Sequence, residues 1–155
     1  MNATVARNLA HATHSDQRDA SGTPVLEHVE RVAARVPEEA RPVAFLHELL
    51  ERTDLTVDDL VAAGAEPADL AALALLTRRP GESFELQVLA VAFAHGPEGR
   101  IAREVTIADL EDHLTEHDPP LSAPPYGWAR HHIAFARRRL GEDALPLPTR
   151  LAAGA

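Results

Sequence analysis

The sequence predicts an all-α protein, an irregular helical bundle formed by a single domain. Hydrophobic residues make up 45% of the 155 residues and aromatic residues only 4%, so the core must consist mainly of Leu, Ala and Val. Ala and Leu are among the strongest helix formers, and no stretch alternates apolar and polar residues as a half-buried strand does. The length suits one domain, which we expect to span 1–140, with a loose Pro- and Ala-rich tail over 141–155.

In the first half of the chain, helices are predicted between polar segments. Ala3–His14 forms the first helix, ahead of a polar loop over 15–24. Pro24 begins the second helix, 25–36, because its fixed φ suits the first turn of a helix. The third helix, 38–52, has a broadly apolar face, as a helix packed on a core does.

In the second half, capping residues, Pro and Gly mark the ends of the helices. A capping-box pattern from Thr56 to Asp59 opens a short helix that ends near Gly64, and Pro80-Gly81 marks a turn. The last helix ends in three consecutive arginines, whose charge suits the negative end of the helix dipole. The predicted helices after Gly64 cover 67–79, 83–95, 98–117 and 126–140.

The composition excludes several kinds of chemistry and partner. The chain has no Cys, which excludes disulfides, thiolate metal sites and a Cys nucleophile. All 15 basic residues are Arg, so lysine Schiff-base chemistry is excluded as well. A net charge of −9 argues against binding to nucleic acid or to an anionic membrane. Since the N-terminal stretch lacks the apolar core of a signal peptide, we expect a cytoplasmic protein.

Three places in the sequence could hold a metal ion, and each also has a plainer reading. His47-Glu48 and Glu51 interrupt an apolar helix, where buried charge is costly unless it is paired or bound to metal. Asp109 lies among apolar neighbours, with His113 one turn later on the same face. The plainer reading of both places is a solvated helix edge. A lone histidine such as His28 is usually a surface or satisfied core residue.

Five blocks of sequence, in order, resemble the hydrolase domain of RelA/SpoT-type enzymes and small alarmone hydrolases, which belong to the HD-domain phosphohydrolases. AHATHSDQ resembles the opening "AxxAHxGQ", and GTPVLEH resembles "GxPYIxHP". AFLHELLERTDLT resembles "AxLHDxxEDTxxT". LTRRPGESF and VTIADLEDH resemble "LTRxxxExY" and "VKLADLxDN". The resemblance covers about two thirds of the chain and implies an all-α fold, in agreement with the helix prediction.

The resemblance also implies a function. Members of the family bind one divalent cation, often Mn²⁺, and hydrolyse the 3′-pyrophosphate of guanosine polyphosphates such as (p)ppGpp. The small-molecule partner would therefore be a guanosine or adenosine polyphosphate. The implied metal ligands are His28, His47, Glu48 and Asp109. Glu51 would orient or deprotonate the attacking water. The implied substrate-binding residues are Gln17, Arg18, Phe84, Thr106 and His113.

The chain departs from the family pattern at positions close to the implied metal. Glu48 replaces Asp, and Arg52 replaces a second carboxylate. Arg52 could repel the cation or clamp a substrate phosphate with two hydrogen bonds, so we place it with Glu51 among the candidate catalytic residues. His113 replaces Asn and could add a ligand or shuttle a proton. Thr106 replaces a basic residue.

These departures leave three functions open. The first is a metal-dependent phosphohydrolase acting on a nucleotide. The second is a degenerate HD domain that binds a nucleotide or a protein partner without turnover. The third is a purely structural helical module, for which His28 and Asp109 would lie far apart.

Overall fold

The computed structural model describes residues 1–19, 22–115 and 125–142. Within these ranges the chain forms helices and turns and no β-strand, which confirms the predicted all-α class. In the same ranges no helix is both long and apolar enough to cross a bilayer.

The first two helices follow the prediction closely. Helix α1, Ala3–His14, begins where the side chain of Asn2 accepts a hydrogen bond from the backbone N–H of Val5 at 2.9 Å, a typical N-cap. Helix α2, Val25–Arg35, starts directly after Pro24. Its buried face consists of Val25, His28, Val29, Val32 and Ala33. A histidine thus lies inside an otherwise aliphatic stripe.

The single helix predicted over 38–52 is wrong, because it is interrupted twice. A short 3-10 turn, Glu38–Ala40, leads into helix α3, Arg41–Leu46, and helix α4, Leu49–Arg52, follows after a break at residues 47–48. The ring Nδ1 of His47 lies 2.7 Å from the carbonyl oxygen of Ala44. In an unbroken α-helix that oxygen would accept the backbone N–H four residues later. Here the imidazole of His47 donates to this oxygen in place of that backbone N–H, and the helix ends.

The remaining helices are present where the sequence predicts them, with some ends shifted. They are α5 (Val57–Ala62), α6 (Pro67–Leu76), α7 (Phe84–Phe93), α8 (Gly96–Thr115) and α9 (Tyr126–Arg139). The capping box of Thr56 and Asp59 is present. Helices α6 and α7 end earlier than predicted because Thr77 and Ala94 adopt extended backbone angles. Residues 116–124, which include the end of the predicted helix 98–117, lie outside the described ranges.

In the described part of the chain, two hydrophobic clusters form the core, and α8 contributes to both. The first cluster joins α1, α2, α3 and α6, and it includes Val105 and Ala108 from α8. The second cluster joins α7 and α9 to Ala102 and Leu110 of α8. Since α8 lies between the two clusters, polar residues on the same helix are placed at the boundary between them.

The start of α8 packs unusually closely against the end of α7. A Cβ atom added to Gly99 would lie 2.6 Å from the carbonyl oxygen of Ala94, so only glycine fits there. Near this contact, the side chain of Arg103 pairs with Glu142. Glu142 falls within the tail predicted over 141–155, so this part of the predicted tail is attached to the domain. Residues 143–155 lie outside the described ranges.

Candidate metal centre

His28 lies at the centre of the candidate site. Its side chain projects from α2 and is almost fully buried, with 7% of the residue exposed. The ring Nδ1 lies 2.8 Å from Oδ2 of Asp112, while Nε2 lies 3.3 Å from Nε2 of His47 and 3.1 Å from Oδ1 of Asp109. One ring nitrogen is thus anchored, and the other faces two further groups that could bind a metal.

His47 presents its Nε2 atom to the same point in space. A carbonyl oxygen can only accept a hydrogen bond, so the contact with Ala44 places a proton on Nδ1 of His47. In the neutral ring, Nε2 then carries a lone pair, as a metal ligand must. This atom lies 3.9 Å from Oδ1 of Asp109 and 3.7 Å from Oε1 of Glu48.

Helix α8 contributes Asp109 and His113, which lie one turn apart on the same face. Oδ1 of Asp109 lies 3.3 Å from Nε2 of His113. This oxygen is shut off from solvent and accepts no hydrogen bond within the described part of the chain. An uncompensated buried carboxylate oxygen is costly, and a cation held between it and the imidazoles would compensate it.

The candidate metal centre therefore comprises side chains from α2, from the break after α3 and from α8. Among the residues that the structure describes, two sets of three ligand atoms lie within 4.8 Å of one another, and both include His28. The first set is His28, His47 and Glu48, and the second is His28, Asp109 and His113. All four ligands implied by the sequence resemblance meet here, and His113 joins them.

The electrostatics of the cluster suit a cation. Burial alone would lower the pKa of His28, but the carboxylates of Asp109, Asp112 and Glu48 raise it to about 9. Burial would raise the pKa of Asp109, yet the nearby imidazoles of His113, His28 and His47 hold it well below its usual range. The pKa of Glu48 is also lowered, by His47 and Arg52 against the effect of burial. The acids that hold a proton on His28 would equally favour a metal ion.

The Nδ1 atom of His28 contacts a network of charged side chains centred on Asp112. Asp112, whose side chain is 1% exposed, accepts hydrogen bonds from Arg31 Nε at 2.8 Å and Arg31 Nη2 at 2.7 Å, and it also pairs with Arg35. Although burial would raise the pKa of Asp112, these two arginines and His28 hold it far below its usual range. Asp112 thus fixes the orientation of the His28 ring, as acids behind metal-binding histidines commonly do.

Sequence reasoning missed this role of Asp112. It lies beside Glu111 in a run of acids, which suggested a solvated stripe. Its partners Arg31 and Arg35 come from a helix about eighty positions earlier in the chain. No local pattern could have indicated that contact.

A cavity of about 440 Å³ opens onto the metal centre. Its polar wall includes His47, Glu48, Glu51, Arg52, Asp109 and His113. Its apolar wall includes Leu76, Val88, Val91, Val105 and Leu110. His28 is not among the lining residues and closes the far side of the cluster. A molecule entering the cavity would reach the metal centre at one end and an apolar surface at the other.

The two candidate catalytic residues both line the cavity, and each already has a partner. Oε1 of Glu51 accepts a hydrogen bond from the backbone N–H of Arg78 at 2.5 Å. The side chain of Arg52 forms an ion pair with Oε2 of Glu48. Arg52 therefore neutralises one carboxylate of the metal centre, and the other oxygen of Glu48 remains near His47.

The residues implied to bind substrate divide into two groups. Phe84, Thr106 and His113 line the cavity. Gln17 and Arg18 are not among its lining residues. Gln17 donates a hydrogen bond to the carbonyl oxygen of Arg52 at 3.0 Å, which places it behind the rim, and the exposed Arg18 bonds to a carbonyl oxygen of its own loop at 2.8 Å.

Aromatic rings line the side of the cavity formed by α7, α8 and α9. Tyr126 stacks on His113 with ring centroids 4.7 Å apart and an interplanar angle of 7°. Phe84 meets Tyr126 edge to face at 5.9 Å. Tyr126 and the cavity-lining Arg78 were not among the predicted site residues, although Arg78 belongs to the block LTRRPGESF that carries part of the resemblance.

Comparison with known proteins adds no assignment to this geometry. No protein-family model matches the sequence, and no curated protein gives a significant match.

Proposed function

We propose that this chain is an HD-domain phosphohydrolase of the small alarmone hydrolase type. It would use a divalent cation to hydrolyse a nucleotide pyrophosphate or phosphate in the cytoplasm. One observation carries the proposal: ligand atoms of His28, His47 and Asp109 lie 3.1 to 3.9 Å apart at the end of a cavity. These residues come from positions far apart in the sequence, so their convergence is a property of the fold.

The donor set fits a divalent cation with open positions. A cation such as Mn²⁺, which the resemblance implies, would act there as a Lewis acid that lowers the pKa of water and polarises a phosphoryl oxygen. His28, buried behind the cluster, would hold it from below. The cavity side of the cluster would remain accessible to water and to a phosphate group.

The reaction would use further residues of the cavity wall. As the water oxygen attacks phosphorus and the bond to the leaving oxygen breaks, Glu51 would accept the water proton. Its Oε1 is held by the N–H of Arg78, which leaves Oε2 for that purpose. Arg52 and Arg78 line the same cavity and would hold phosphate oxygens through charge-assisted hydrogen bonds.

The cavity suits a molecule that combines phosphate with a flat apolar group. Its volume of about 440 Å³ is within the usual range for small-molecule sites. Phe84 and Tyr126 offer ring surfaces for a base, and Thr106 offers a hydroxyl group. A guanosine or adenosine polyphosphate has both parts.

Turnover measurements would test the proposal. The purified chain with added Mn²⁺ would be offered guanosine and adenosine 3′,5′-polyphosphates, nucleoside triphosphates and a generic phosphodiester. We expect phosphate or pyrophosphate release from at least one of them. Absence of release from all four classes, with the metal bound, would reject the hydrolase.

A second function is favoured by the ion pair between Arg52 and Glu48, which removes charge from the metal centre. In that case the domain would bind a nucleotide or a protein partner without turnover. Metal analysis and nucleotide binding separate the two functions. A protein that binds a guanosine polyphosphate, contains no stoichiometric divalent cation and releases no phosphate would be a binding domain.

A further inference from the structure

We propose that His113 is a ligand of the metal, so that the site holds its cation through three imidazoles and Asp109. Such a site would favour borderline cations, Zn²⁺ and Co²⁺, more strongly than the set of two histidines and two acids implied by the resemblance. This inference rests on the proposed function for the existence of the metal site, and it does not depend on turnover.

The distances from Asp109 to His113 and His28 match those between neighbouring ligands of one cation. With metal–ligand bonds of about 2.1 Å, two ligands lie about 3.0 Å apart at a right angle and about 3.4 Å apart at the tetrahedral angle. Oδ1 of Asp109 lies 3.3 Å from Nε2 of His113 and 3.1 Å from Nε2 of His28. His113 therefore stands in the same relation to Asp109 as the buried His28 does.

The Asp109 oxygen between these rings is buried and lies at the spacing that a shared cation requires. Oδ1 is shut off from solvent, and no N–H of the described residues is aligned to donate to it. Together with the imidazole nitrogens of His28 and His113, it forms a set of three ligand atoms that lie within 4.8 Å of one another.

The ring of His113 is also held in place. It stacks on Tyr126 with an interplanar angle of 7°, and its centroid lies 5.0 Å from that of His28. The backbone of α8 fixes its position one turn after Asp109. An orientation held by two ring contacts lowers the entropy cost of binding a cation.

The ion pair of Arg52 increases the share of nitrogen in the site. One oxygen of Glu48 is committed to Arg52, so this carboxylate is a weaker ligand than a free acid would be. Nitrogen ligands favour Zn²⁺ and Co²⁺, whereas oxygen ligands suit Mn²⁺ and Mg²⁺. Arg52 and His113 thus both shift the preference of the site toward Zn²⁺ and Co²⁺.

Competition titrations with Zn²⁺, Co²⁺ and Mn²⁺ would test the inference on the wild-type chain and on His113→Asn. The control is His131→Asn, which removes an exposed imidazole on α9. We expect His113→Asn to weaken Zn²⁺ and Co²⁺ binding by more than about 100-fold, beyond the cost of losing an outer-shell partner. Mn²⁺ binding should weaken less, and the control should match the wild type. Equal effects on the three cations, or none, would overturn the inference.

The Co²⁺-loaded proteins provide a second measurement that a merely structural role would not change. Paramagnetically shifted imidazole proton signals count the histidine ligands. We expect three rings in the wild type and two in His113→Asn and His113→Gln, with helicity unchanged by circular dichroism. Two rings in the wild type would show that His113 only lines the cavity.

These outcomes separate the inference from the proposed function. A wild type with three ligand rings and no turnover on any phosphate ester would keep the inference and reject the hydrolase. A wild type that has only two ligand rings and hydrolyses a nucleotide would reject the inference and keep the hydrolase.

Discussion

Helix α8 carries two buried clusters of charge that differ in one respect. Near its start, Arg103 is 1% exposed and donates to the carbonyl oxygens of Val91 and Ala94 at 3.0 and 2.6 Å, as well as to Glu142. Near its end, Asp112 accepts from Arg31 and Arg35 and anchors His28. The first cluster satisfies its own hydrogen bonds. The second leads to a set of nitrogen and oxygen atoms that could hold a metal ion.

The buried charge around Arg103 supports the fold, whereas the buried charge around Asp112 positions a candidate metal ligand. Around Arg103, most contacts tie the end of α7 and the segment after α9 to α8. Around Asp112, the chain holds His28 in place while its other nitrogen faces Asp109. A buried oxygen without a hydrogen-bond partner among the described residues, such as Oδ1 of Asp109, persists in a fold mainly where function requires it. Variants in the two clusters should therefore affect different measurements.

The largest effect is expected from Asp109→Ala. Loss of the carboxylate that faces three imidazoles should abolish both metal binding and turnover, while helicity by circular dichroism remains largely intact. Asp58→Ala, which removes an exposed acid from α5, is the matched control. If Asp109→Ala retained turnover, the metal centre would not be the active site.

The next largest effect is expected from Arg103→Met, and it concerns stability. The change leaves Glu142 and two carbonyl oxygens without their donor, so the free energy of unfolding should fall by about 3 kcal/mol. Urea denaturation would measure this loss. Metal affinity of the folded protein should stay within a factor of two or so of the wild type. A much larger loss of affinity would mean that the two clusters are coupled through α8.

Asp112→Asn should show the opposite pattern. The amide keeps the shape but loses the charge that holds the His28 ring, so metal affinity should fall by about 10- to 100-fold. Arg31 and Arg35 are partly exposed, at 39% and 35% of their side chains, and can turn to water. Stability should therefore fall less than in Arg103→Met.

Glu142→Gln is the matched control for Asp112→Asn, because it neutralises the acid of the other cluster. It should lower stability without changing metal affinity. Equal losses of affinity in the two variants would contradict the division between the clusters.

The smallest effect is expected from Arg52→Ala, which frees the second oxygen of Glu48. Since an ion pair with an exposed arginine contributes at most about 1 kcal/mol, metal affinity should rise by roughly fivefold. The KM for a phosphorylated substrate should rise as well if Arg52 holds phosphate. Calorimetric metal titration and steady-state kinetics would measure the two effects. Unchanged metal affinity would mean that Arg52 does not weaken the site.

The sequence predicted the helices well where local residues decide their ends. The caps at Thr56 and Pro24 are local signals, and the helices they begin are present. The break at His47 was missed because it depends on one side chain bonding to the backbone within its own helix. Apolar periodicity does not reveal such a bond.

The candidate site was predictable only in part. His28, His47 and Asp109 lie in recognisable blocks, so their types and positions could be named, but their convergence required the packing of three helices. Asp109 and Asp112 look alike in the sequence, being acids three positions apart. Packing places Asp109 at the candidate metal centre and Asp112 behind His28, and no local rule distinguishes them.

The position of α8 between two hydrophobic clusters restricts how this chain can change in length. Ala102 and Leu110 face one cluster, Val105 and Ala108 face the other, and Asp109 lies on the same helix. An inserted or deleted residue turns everything after it by about 100° around the helix axis. Such a change anywhere between Ala102 and Ala108 would move apolar residues out of both clusters and carry the carboxylate away from the imidazoles. A point substitution along this helix affects one contact, whereas a change in its residue count displaces the packing residues and the candidate ligands together.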